Sequence, residues 1–113
     1  MISQENMQYL LSYVDDLNHR YPEILGKEVT SNEKIMVNAL AFSEESWELS
    51  DQIVRKLWFV FNKKKKENYK DEDLEDEAAD VLICLLMLLR SLWITDMNEA
   101  IKRKIKINND RGY

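Results

Sequence analysis

The sequence predicts an all-α domain, and three observations carry that expectation. The 113 residues include 2 Gly and 1 Pro, far below ordinary usage of roughly 7% and 5%. A β-sandwich or barrel needs turn residues about every 8–12 positions, so both are excluded. Charged residues make up 33% of the chain and hydrophobic ones 45%, a mix that supports a packed core rather than global disorder. Apolar residues recur at spacings of three and four through long segments without breakers, which is the period of an amphipathic helix. The length suits one domain over residues 1–113, with four helices filling most of it.

The first helix runs roughly from Ser3 to Arg20, with Met7, Leu10, Leu11, Val14 and Leu17 on one face. Tyr21-Pro22 ends it, because the residue before a proline disfavours the α region. Gly26 marks the connecting loop. The second helix begins near Thr30, where Thr30 and Glu33 fit a capping box. Its stripe is Ile35, Ala39, Phe42, Leu49, Ile53, Leu57 and Val60, interrupted by Ser46, and it ends near Asn62.

A linker from about Asn62 to Tyr69 carries the Lys63–Lys66 run and has no apolar period. The third helix starts in the acidic stretch Asp71–Asp76, where negative charge complements the N-terminal dipole. From Val81 to Leu89 it is apolar on every side. Such a helix is expected to be buried all round, at the centre of the fold or against another subunit. The fourth helix starts at Asp96, with Asp96 and Glu99 as a second capping box. Met97, Ile101, Ile105 and Asn108 form its expected inner face, and Gly112 its stop.

Sixteen basic residues against 21 acidic ones leave a net charge of −5. That argues against a general nucleic-acid binder, but not against a small anionic substrate accompanied by a metal ion. The single cysteine, Cys84, permits no disulfide within the chain and reads as a core residue. The N-terminal sequence lacks the basic and apolar regions of a signal peptide. The run Val81–Leu89 is too short to span a bilayer. The default expectation is a cytoplasmic chain with no membrane contact.

Two carboxylate pairs carry the chemistry. Glu45 and Glu48 lie three residues apart on the second helix, as do Glu77 and Asp80 on the third. That spacing puts each pair on one helix face. With Phe42 at the centre of the stripe, Glu45 lies about 60° off and Glu48 about 120° off on the same side. Glu44, about 160° off, points least inward. If the two helices pack antiparallel, the pairs face each other. Four carboxylates at a core boundary repel and resist ionisation, and a divalent cation resolves that conflict. All-oxygen ligands suit Mg²⁺, Mn²⁺ or Ca²⁺. The plain alternative is a solvated acidic face. A di-iron bundle would need Glu-x-x-His twice, and the one histidine, His19, follows no Glu at that spacing. No Ser or Cys nucleophile has a histidine partner in prospect.

The order EExxE (Glu44, Glu45, Glu48), ExxD (Glu77, Asp80) and KxxxNxxR (Lys104, Asn108, Arg111) resembles MazG-like nucleoside triphosphate pyrophosphohydrolases. Leu49 after the third Glu fits the same pattern, and the resemblance spans roughly Glu33 to Arg111. It implies a four-helix MazG-like bundle completed by dimerisation into homodimers or homotetramers. It implies cleavage of a (deoxy)nucleoside triphosphate to the monophosphate and pyrophosphate, dependent on Mg²⁺ with Mn²⁺ as a substitute. By carry-over, Glu45, Glu48, Glu77 and Asp80 would hold the metal. Glu44 would be an accessory carboxylate, and Lys104, Asn108 and Arg111 would contact phosphate or sugar. Trp47, where the family often has a small residue, and the long lysine-rich segment from Asn62 to Asp76 are departures that bear on substrate preference.

Lys104 and Arg111, seven residues apart, share a helix face and could clamp phosphates, Arg by two oxygens. Dipole compensation and solubility are the plain roles for such residues. Trp47, Trp58 and Trp93 are candidates for stacking on a base, with Phe61 and Tyr113 weaker ones, although aromatics at helical spacing are more often core. Arg90, inside an apolar helix, calls for a partner, an intersubunit carboxylate being one expectation. Two further functions stay open on the sequence. One is a non-catalytic helical oligomerisation or interaction protein with a vestigial metal site. The other is a phosphoribosyl-ATP pyrophosphohydrolase-like enzyme.

Overall fold

The computed structural model describes residues 1–61 and 69–112, apart from the side chains of residues 58–61. The side chains of Trp58 and Phe61, the Lys63–Lys66 run and Tyr113 therefore lie outside the described residues. Within them the chain is all-helical and has no strand. Five helices follow one another: α1 (Gln4–His19), α2 (Tyr21–Leu25), α3 (Ser31–Phe61), α4 (Asp71–Ser91) and α5 (Asn98–Asp110). The helix not expected from the sequence is α2. Pro22 falls in its first turn, where a missing N–H costs nothing, so the proline starts a short helix as well as ending α1.

Local chemistry explains most boundaries. The Ser3 side chain caps α1 by accepting from the Asn6 N–H at 3.1 Å. Gly26 closes α2 at φ 69°, a left-handed conformation open to glycine at little cost. The Thr30–Glu33 capping box forms in both directions, with Thr30 Oγ1 accepting from the Glu33 N–H at 3.1 Å and Glu33 Oε1 from the Thr30 N–H at 3.5 Å. Asp71, Glu72 and Asp73 occupy the first turn of α4.

The expected Asp96–Glu99 box is not what starts α5. Asp96 accepts from the Asn98 N–H at 2.9 Å, which tightens a turn and leaves Met97 at the cap position without a side-chain cap.

Helices α3 and α4 form the main pair, and α1 packs on α4. The pair runs antiparallel, with Asn38 against Met87 and Lys56 against Asp71. The core is small: Val14, Tyr21 and Met87 are buried, with Leu10, Leu17, Val29, Val37, Ile83 and Leu86 half-buried around them. At its heart lies a polar knot. Asn38 Nδ2 donates to Asn18 Oδ1 at 3.2 Å and to the Met87 carbonyl at 3.2 Å. Asn18 Nδ2 donates to the same carbonyl at 3.3 Å, and the Tyr21 hydroxyl donates to Asn38 Oδ1. One residue thereby ties α1, α2, α3 and α4 together.

Two expectations are corrected by this packing. The run Val81–Leu89 is not buried all round, since Met87 alone is buried and its neighbours are half-exposed. Nor is the apolar face of α5 an inner face. Met97, Ile101 and Ile105 are 38%, 51% and 55% exposed, only Asn108 of the expected face is half-buried, and α5 makes at most marginal contact with any other helix among the described residues. The reason is shared: the described helices leave these surfaces without cover. No described helix is long and apolar enough to cross a membrane.

Asn38→Ala is expected to lower stability sharply. It strands the Tyr21 hydroxyl and Asn18 Oδ1 in the core, at about 1–3 kcal/mol for each group left unpaired. Thermal unfolding followed by circular dichroism measures this, and an unchanged Tm would mean that the knot does not hold the helices.

Candidate metal centre

The antiparallel register of α3 and α4 sets one carboxylate pair against the other. Glu45, Glu48 and Glu77 each bring an oxygen to a common point, all three oxygens within 4.8 Å of one another. Glu45 Oε2 and Glu77 Oε2 are buried and have no hydrogen-bond partner. A buried carboxylate oxygen without a donor is costly, and here two of them sit in one cluster.

Asp80 does not join the three oxygens, although its charge acts on both Glu45 and Glu77. Its side chain is one methylene shorter than glutamate, which leaves it beside the cluster in this chain. Glu44 is exposed and also outside the cluster, as its angular position on the helix implies. The expected four-ligand set is thus three converging ligands with one neighbouring charge.

The electrostatics follow from this crowding. The Glu45 carboxyl is pushed up to about 7, first by loss of water, then by the charges of Glu48 and Asp80, hydrogen bonding to Glu48 and the charge of Glu77. The Glu77 carboxyl is raised by the same kinds of cause, with desolvation first and Glu48 next. Cys84 lies within reach of this field. Burial raises its thiol, and Glu45, Asp80 and Glu44 raise it further, so it is a poor nucleophile near neutral pH.

The donor set fits a hard divalent cation. All three converging groups are carboxylates, the preference of Mg²⁺, Mn²⁺ and Ca²⁺. A cation would also give the two stranded oxygens a partner. Gln52 is a further candidate that the sequence did not single out. It lies one turn beyond Glu48 on α3, and its Oε1 is buried without a hydrogen-bond partner. Its spacing of four from Glu48 and seven from Glu45 was the available signal.

The other expected site residues lie elsewhere. Lys104, Asn108 and Arg111 sit on or at the end of α5, which makes at most marginal contact with the α3–α4 pair among the described residues. Trp47 is 74% exposed on α3 and Trp93 is 84% exposed just after α4. Arg90 finds its carboxylate within its own chain, with Nε 3.3 Å from Asp15 Oδ1, rather than across a subunit boundary. No family model, curated protein or solved structure matches the chain.

The raised carboxyls set the sign of the pH dependence. A Glu45 that titrates near 7 when folded and near 4.5 when unfolded holds its proton more tightly in the fold. Its contribution is complete below about 4.5 and is lost as pH rises through about 7. In EDTA the Tm should therefore fall across that window, and Mg²⁺ should restore it at pH 8. At a hundredfold excess over its Kd, the ion would add about 2.7 kcal/mol. Glu45→Gln should flatten both responses. A Tm in EDTA that is flat or rises between pH 4.5 and 8 would contradict this geometry.

Proposed function

We propose that the chain is a MazG-like nucleoside triphosphate pyrophosphohydrolase that requires Mg²⁺, with Mn²⁺ as a substitute, and acts as a homodimer or homotetramer. The supporting observation is the carboxylate cluster itself, three converging carboxylates on facing helices, two of which carry a buried oxygen without a hydrogen-bond partner. This is what the EExxE and ExxD segments should build if they hold a cation.

Such an ion would supply charge neutralisation to a triphosphate and to the charge that develops as a phosphoanhydride bond breaks. Glu45, Glu48 and Glu77 would hold it, and Asp80 would complete the negative field or close in as a fourth ligand. Glu44, exposed on the same helix as Glu45 and Glu48, would orient a water molecule. In the reaction, water adds its oxygen to the α-phosphorus, the bond to the β-phosphate breaks, and pyrophosphate leaves. A carboxylate of this group that does not hold the ion would accept the water's proton.

The phosphate contacts would come from α5 of a second copy. Around α5, Lys104 and Arg111 lie about 60–80° from the middle of the exposed row Met97, Ile101 and Ile105, and Asn108 lies between them. Seating the apolar row on a neighbour would lay the basic row along the seam.

Surface area supports the need for that neighbour. The chain exposes 9188 Å², whereas a folded monomer of 13.5 kDa exposes about 6,500 Å². The radius of gyration is 17.4 Å against about 13 Å for a compact domain of this length. The excess matches an interface of obligate-dimer size, about 2,000 Å² or more. Met36, Leu40, Trp47 and Val54 add an exposed apolar row on α3. The same exposed faces favour the second reading, a non-catalytic helical interaction protein. It differs by predicting assembly without turnover. Phosphoribosyl-ATP is the third substrate class to assay.

Pyrophosphate release from the eight standard ribo- and deoxyribonucleoside triphosphates, with Mg²⁺ and with EDTA, tests the reading directly. Metal-dependent turnover of at least one, reduced more than about 100-fold by Glu48→Gln with helicity intact, is expected. Silence with all eight and with phosphoribosyl-ATP, from folded protein, would leave the interaction reading. Light scattering should give a mass of two or four chains, and Trp47→Glu should shift it toward 13.5 kDa. A wild-type monomer at micromolar concentration would remove the basis for a shared site.

A further inference from the structure

At the far end of the α3–α4 pair lies a cleft of about 280 Å³. Three elements converge on it: Asp15, Asn18 and His19 from the end of α1, Ser31 and Lys34 from the start of α3, and Arg90, Ser91, Trp93 and Thr95 from the end of α4 and the loop beyond. Lys34 lies eleven residues before Glu45, about 16 Å along the helix, so the cleft is separate from the carboxylate cluster.

The lining is rich in donors without partners. The side chains of Lys34, His19, Ser31, Trp93 and Thr95 have no ion pair or hydrogen bond among the described residues. Arg90 is partly buried, and its Nε faces Asp15 at 3.3 Å, yet that nitrogen makes no aligned hydrogen bond. Lys34 and Arg90 outweigh Asp15 by one positive charge with His19 neutral, on a chain whose net charge is −5. The α3 N-terminus is already capped by Thr30 and is not needed to account for the attraction.

Trp93 supplies a second, independent observation. It is the only non-glycine residue with positive φ among those described, at 61°. Its N–H donates to the Arg90 carbonyl at 3.0 Å, and the Ile94 N–H donates to the Leu89 carbonyl at 2.9 Å. This is the Schellman ending of a helix, in which glycine is the favoured residue. A bulky side chain there is strained, and at 84% exposure its packing does not offset the strain. What the conformation does achieve is to set an indole at the rim of a donor-lined cleft. A strained local choice without a packing return is expected at functional positions.

We propose that this cleft binds a small planar-ring phosphate monoester, such as a nucleoside monophosphate. The phosphate sits between Lys34 and Arg90, and the ring stacks on Trp93. The volume is at the low end for ligand pockets, which run from about 300 Å³. It takes one headgroup and leaves the ring at the rim. Arg90 keeps Asp15 on one edge of its guanidinium and has further N–H donors for phosphate oxygens. The proposal stands whether or not the carboxylate cluster proves catalytic.

The test is calorimetric titration of the full chain in EDTA, which silences any metal-dependent site, with AMP, ribose 5-phosphate, adenosine and inorganic phosphate as separate probes. AMP should bind saturably and at least tenfold more tightly than each of the other three. Lys34→Gln should weaken AMP at least tenfold with an unchanged Tm. Trp93→Gly should weaken it likewise while raising the Tm, an outcome that separates loss of a ligand contact from loss of the fold. Absence of saturable AMP binding would overturn the proposal. So would equal affinity for inorganic phosphate, or AMP binding unchanged in both variants.

Discussion

Everything in this chain hangs on one buried amide. Asn38 receives the Tyr21 hydroxyl and donates to Asn18 and to the Met87 carbonyl, so four helices meet through hydrogen bonds with defined directions. The apolar core around Val14, Tyr21 and Met87 could by itself tolerate sliding, because hydrophobic contact has no preferred direction. A polar network has no such latitude, since each misplaced group would lose its partner in a low-dielectric interior. The knot therefore fixes the register of α3 against α4. Seven residues further along α3 and ten back along α4, the same register brings Glu45 against Glu77. The carboxylate cluster is held together against its own repulsion by a contact two helical turns away.

The second theme is incompleteness. Leu40, Trp47 and Val54 on α3, and Met97, Ile101 and Ile105 on α5, form apolar rows that nothing among the described residues covers. Scattered exposed apolar residues are ordinary, but rows at helical spacing on two separate helices are not. The α3–α4 hairpin carries apolar surface on more than one face, and α1 covers only part of it. The carboxylates and the basic row of α5 are likewise in different places. A partner that covers the apolar rows would also be the one able to bring opposite charges together.

Much of this was legible in the sequence, and the failures have physical causes. Helix periods, the Ser3 and Thr30 starts, the acidic opening of α4 and the carboxylate spacing all depend on neighbours within a turn or two, which a linear reading captures. Asn18 and Asn38 occupy places in apolar stripes, after Val14 and between Ile35 and Phe42. That misplacement was a visible sign, but which groups they would satisfy depended on contacts 17 to 69 residues apart. The all-round burial expected of α4 and the inner face expected of α5 failed for a different reason. Amphipathicity reports that a surface wants cover and says nothing about which chain supplies it. Trp93 was noticed as an aromatic, yet its left-handed backbone could not be foreseen, because its residue type argues against it.

The shared register of α3 and α4 also bears on how this chain can vary over evolutionary time. Between Asn38 and Glu48, or between Glu77 and Met87, a single inserted residue would turn everything beyond it by about 100° and push it along by 1.5 Å. Either the amide knot or the carboxylate cluster would then be lost, since both ride on the same two stretches of helix. Side chains in those stretches can be exchanged one at a time, but their length cannot. Insertions and deletions should accumulate instead outside those two stretches of helix.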